Sequence, residues 1–256
     1  MQETLSLAAF VEPVSLTMIF GSTLLIAFSA HASGSTSIAV VCRDLGTPLG
    51  LLGAMIGAFG ISLNMREAAD IYPVTAILLI AVLYGGLISG IGMFIGGKAP
   101  AEDQAPKSPY PIYTATVFVS AALIWAMENA AGLEQYLSPV LFGIFAAVFG
   151  LALATARARR TEVLADASLF AALLCVIAGL VARLSGYIYE GLQVSMGGLV
   201  LGLFAYIIVI CMSYASGSQR DINAMRQNWH WLELTGFLIF MYLAPETIRE
   251  ALISAA

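Results

Sequence analysis

Charge is what this sequence is short of. Only 11% of its 256 residues are Asp, Glu, Lys or Arg, against about a quarter in a soluble domain, and that shortage excludes a water-soluble globule. The net charge of −5 offers no basic surface, so no nucleic-acid partner is expected. Histidine is nearly missing, with His31 and His230 alone. Cys42, Cys175 and Cys211 stand far apart and form no CxxC pair, which speaks against a disulfide framework and a zinc centre. There is no phosphate-binding loop, no dinucleotide fingerprint, no HExxH and no Ser/His/Asp set in context. No polar segment is long enough to fold a catalytic domain. No enzyme activity, cofactor or metal is expected.

What the chain has is apolar length and glycine. Hydrophobic residues make up 60% of it, with 24 glycines. Runs of roughly 20 apolar residues cross a bilayer core as helices. They place spans at 14–30, 47–63, 72–96, 112–131, 137–155, 164–181, 194–212 and 232–243. The expected class is an all-α, polytopic transmembrane bundle of about eight helices, with the lipid bilayer as its first partner. Arg43 and Asp44 mark water before the second span. The polar, proline-rich stretch 98–111 divides the chain into regions 1–97 and 112–256. Without a basic segment ahead of it, the first span is expected to be retained. Alternating the loops puts Arg43, Lys98, Lys107, Arg157, Arg159, Arg160, Arg220 and Arg226 on one side, against Arg66, Arg183 and Arg249 on the other. The positive-inside rule then sets both termini outside the cytoplasm.

The stretch 46–97 organises the rest. Two apolar runs flank a short turn holding Asn64, Arg66, Glu67 and Asp70. Glycines recur four apart in both runs, and Gly50, Gly53, Gly57, Gly86 and Gly90 are expected to let neighbouring helices approach closely. TPLGLLGAMIG (47–57) resembles the third membrane helix of the MotA/TolQ/ExbB family, and PVTAILLIAVLYG (73–85) resembles the fourth. FVEPVSLTMIFGSTLLIAFSA (10–30) resembles the second, with Glu12, Pro13, Ser15 and Gly21 matching in kind. The resemblance covers about residues 10–98.

Membership would imply a subunit of the bacterial inner membrane that assembles as a homo-oligomer, a pentamer if family-like, around a single-span partner protein. Ion flow would drive motion or transport. Ala54, Pro73, Thr75, Ala81, Val82 and Tyr84 would then face the pore or partner. The chain departs from the family at Ala54, Ala81 and Val82, where hydroxyls line the family's ion path; methyls cannot replace an ion's water. The large cytoplasmic domain is also missing. A non-conducting structural or assembly subunit, or a small-solute transporter, would suit the same spans.

Few ionisable groups sit near the membrane interior. Glu128, with Asn129, lies at the outer end of the fourth span, as a solvated helix end or an ion or proton site. Glu233 falls three residues after His230, on one helical face, as interfacial packing or a proton relay. Arg183 and Glu190 flank one turn, where a loop salt bridge would suit them. Thr75 and Ser89 could line a polar seam or bond their own helix backbone.

Overall fold

The computed structural model describes residues 13–64, 71–95, 106–155 and 160–217. They form eight helices: α1 (Pro13–Ala32), α2 (Ile38–Asn64), α3 (Ile71–Ile95), α4 (Tyr110–Ala131), α5 (Leu133–Tyr136), α6 (Pro139–Thr155), α7 (Arg160–Leu184) and α8 (Ile188–Ser216). All but α5 and α6 are long and apolar enough to cross a membrane. The molecule is a polytopic helical bundle. α6 holds 17 residues, which at 1.5 Å per residue reach about 25 Å. The expected eighth span, 232–243, lies outside the described residues.

Helix ends follow local chemistry. α1 stops where Gly34 takes φ 71° and the Ser33 and Ser35 hydroxyls donate back to the carbonyls of Ser29 and Ala30 (2.7 and 3.1 Å). Pro109 and Pro111 bracket the start of α4, where a missing N–H costs nothing. Gly132, at φ 82°, ends α4 and donates to the Glu128 carbonyl. Gly217, left-handed at φ 72°, closes α8 against the Tyr214 carbonyl.

α2 begins nine residues before the expected start of its span, so Arg43 and Asp44 lie inside the helix rather than in a watery approach to it. The short apolar piece before them and the run after them are one helix. Ser37 caps it, its hydroxyl accepting from the Val40 amide at 3.4 Å, and the two charges neutralise each other.

Two antiparallel hairpins, α2–α3 and α7–α8, form the frame. α1 packs across α2, α3 and α4, while α4 touches α2 and α8. α6 lies outermost, against α7. α8 is the most enclosed of the six long helices. One core joins helices from both sides of the 98–111 stretch, including Ile26, Leu45, Phe59, Ile112, Tyr136 and Ile207. The end of that stretch docks on the α1–α2 turn, where the Lys107 amide donates to the Ser33 carbonyl at 2.9 Å. The outward faces are apolar too, with Leu24, Phe28, Leu87, Phe118 and Phe170 exposed. Helices apolar all round belong in lipid.

Candidate functional site

The helices of the first hairpin touch backbone to backbone. A Cβ added to Gly46 would lie 2.7 Å from the Gly85 carbonyl oxygen, and one added to Gly50 would lie 2.8 Å from that of Ala81. Gly85 and Gly92 meet α2 in the same way. Ser89, buried at this crossing, inserts its hydroxyl into the α2 ladder. It accepts from the Thr47 amide (2.9 Å) and donates to the Arg43 carbonyl (3.0 Å), two groups that an undisturbed helix pairs with each other. The Thr47 hydroxyl also donates to it at 2.9 Å. Pro48, the next residue, has no N–H to donate. Ser89 therefore bonds the neighbouring helix, not its own.

Two of the glycines assigned to packing meet no neighbouring helix among the described residues. Cβ atoms added at Gly86 and Gly90 meet nothing within 4 Å. The face toward α2 is carried by Gly85, Ser89 and Gly92, a turn of about 100° away for each single-residue step. Gly57 meets the end of the Leu78 side chain, and Gly53 only side-chain atoms of Ile19 and Ala81.

Beside Ser89 lies an ion pair inside a candidate span. Arg43 Nε donates to Asp44 Oδ1 at 2.7 Å and Nη2 to Oδ2 at 3.2 Å. The two side chains are only 11% and 7% exposed. The Tyr214 hydroxyl of α8 donates to Asp44 Oδ2 at 3.1 Å. An isolated charge here would cost several kcal/mol; the adjacent pair and the phenol satisfy one another. This cluster ties α2 to α8, and through Ser89 to α3. The order of polar residues along the sequence does not reveal it, because Asp44 and Tyr214 are 170 positions apart.

Three of the six residues expected to face a pore or partner face the chain's own interior. Ala54, Ala81 and Tyr84 are each at most 5% exposed. Tyr84 meets Phe20 of α1 edge-on, with ring centroids 5.9 Å apart. Burial by α1 and by the paired hairpin helix turns these three inward. Val82 is half-buried. Pro73 and Thr75 belong to α3, but their side chains lie outside the described set, as does Glu233. Glu128 is exposed, and its carboxylate accepts from the Leu133 amide at 2.8 Å. The Arg183 stem packs over Gly191.

The second hairpin has a small-residue face of its own. Ser168, Ala172, Cys175 and Gly179 of α7 meet Gly191, Ser195, Gly198 and Gly202 of α8. Their 4-3-4 spacings are present in the sequence and could have flagged this pair as well as the first. Near the opposite end of the bundle from Asp44, Gln135 Oε1 accepts from Tyr189 Oη (2.9 Å) and Gln193 Nε2 (2.6 Å).

Next to Gln135, the Tyr136 side chain is wholly enclosed, edge-on to Phe59 with centroids 4.7 Å apart. Burial holds its phenol well above the ordinary tyrosine range. Among the described residues its hydroxyl has no hydrogen-bond partner, and an unmet buried hydroxyl costs about 1–3 kcal/mol. Tyr136→Phe is expected to raise the thermal unfolding midpoint in detergent, by about 1 kcal/mol of stability. A lower midpoint would show that the hydroxyl is satisfied after all.

Among the described residues no three His, Cys, Asp or Glu side chains gather as a metal site. Compared with protein families, with curated proteins and with solved structures, the chain matches none.

Proposed function

We propose that this multi-pass membrane protein is a non-conducting structural subunit of a larger membrane assembly, with MotA/TolQ/ExbB kinship in residues 10–98. One observation carries the reading: Ala54, Ala81 and Tyr84, the positions that would line an ion path, are packed into the chain's own core. The α2–α3 face is sealed by the Gly46, Gly50 and Gly85 backbone contacts. A path there would need the hairpin to part, and its walls would still be methyl groups that cannot replace hydration water. The setting that accompanies this reading is a bacterial cytoplasmic membrane, with both termini outside and further subunits around it.

The test is flux from the purified full chain in proteoliposomes, alone and with any protein that co-purifies. Proton or sodium flux is expected to stay at the level of protein-free vesicles. Ala54→Thr and Ala81→Thr are expected to leave it there, because each added hydroxyl can bond its own helix carbonyl. Flux above background, or a rise with either threonine, favours the ion-conducting alternative. Native mass of the solubilised complex checks the assembly: a lone monomer overturns the structural role.

A further inference from the structure

The glycine ladder of α2 changes character along its length. Gly46 and Gly50 lie against α3 backbone, whereas a Cβ at Gly53 would meet only side chains, 3.9–4.0 Å away. Where Gly53 contributes no side chain, a cleft of about 160 Å³ opens between α1, α2 and α4. Ile19, Leu49, Gly53, Ile56, Leu123 and Ala126 wall it. Its volume is close to the roughly 150 Å³ apolar cavity that stays dry and accepts a benzene-sized guest.

The lining decides what can enter. Ser15 is its one hydroxyl-bearing residue, and no charged side chain lines it. A hydrated ion or polar solute would lose its water there without replacement. All three bordering helices are candidate membrane spans. Val14 at the rim is 63% exposed, and Ile124 and Trp125 beside the α4 wall are exposed too. The cleft thus opens on the exposed apolar surface of three candidate membrane spans. The space is far too small for a second helix of about 10 Å diameter.

We propose that this cleft binds one acyl chain of a bilayer lipid. Moving a chain from lipid to protein gains nothing from water, so what holds it is close packing against the walls.

The test is photo-cross-linking of the full chain in nanodiscs, using phosphatidylcholine with a diazirine in mid-chain. Ile56 is 4% exposed, beyond reach of a lipid that stays on the outer surface. Adducts are expected at Ile56 as well as at the outward-facing Leu83 and Leu87. Gly53→Leu fills the cleft and is expected to abolish the Ile56 adduct while leaving the other two. Should that variant misfold, Ala126→Leu fills the space from the opposite wall and gives the same comparison. No Ile56 adduct in the parent chain overturns the proposal, as does an adduct that survives both fillings. A protein–protein adduct at the cleft, in place of the lipid one, overturns it in favour of a second copy.

Discussion

Replacing Gly50 by valine is expected to force α2 and α3 apart and abolish a monodisperse folded species in detergent. The new Cβ would stand 2.8 Å from the Ala81 carbonyl oxygen and 2.9 Å from the Gly85 Cα. Both are backbone atoms, with no rotamer to yield. Overpacking a well-fitted interior costs about 1–3 kcal/mol and occasionally more, and this clash falls at the upper end because a whole helix must shift. Gly85→Val should behave alike, since its Cβ would lie 2.8 Å from the Gly50 Cα. Gly86→Val, one residue on, supplies the control. Its Cβ meets no atom of the described residues within 4 Å, so its midpoint should stay within about 0.5 kcal/mol of the parent. Thermal unfolding followed by size-exclusion chromatography reads all three. Equal shifts for positions 85 and 86 would contradict the described hairpin face.

Asp44→Leu is expected to lower stability by about 3–5 kcal/mol, because it strands the Arg43 guanidinium without its carboxylate. At 11% exposure the arginine side chain has little water to turn to. Tyr214 loses its acceptor in the same step. The informative comparison is the double change Arg43→Leu with Asp44→Leu. Removing both charges removes the uncompensated burial, so the double variant should be more stable than Asp44→Leu alone. Replacing a buried pair by apolar residues is often neutral. Additive losses in the double-mutant cycle would mean that the two side chains do not depend on each other.

The bundle, its all-helical class and the adjacency of the 47–63 and 72–96 runs were legible because they rest on apolar length and a short connecting turn. Phase was harder. Four-residue spacing identifies a ladder of glycines but does not tell which of two adjacent ladders meets the partner. Gly86 and Gly90 share that spacing with Gly85 and Ser89, and only the packed helices distinguish them. Arg43 and Asp44 misled for another reason. Charges ordinarily signal water, but these two neutralise each other, and the carboxylate takes a further hydrogen bond from Tyr214, at the far end of the described chain. The inward turn of Ala54, Ala81 and Tyr84 was hidden because a residue facing its own neighbours and one facing a partner subunit are equally apolar. The enclosure of α8 was the opposite case. Its Gly191, Ser195, Gly198 and Gly202 were in plain view, overshadowed by the stronger pattern of the first hairpin.

The short reach of α6 bears on the membrane around the protein. Its 17 described residues reach roughly 25 Å, about 5 Å short of an average hydrocarbon layer, while every other long helix at least matches that thickness. The bilayer therefore meets a wall of uneven height. Lipids along the α6 flank must compress or draw their headgroups inward, at a fraction of a kcal/mol for each ångström of mismatch, whereas those beside α1 and α3 need not. Under the structural role proposed above, such lopsided thinning would favour, on that one side, a protein neighbour whose own apolar belt is equally low.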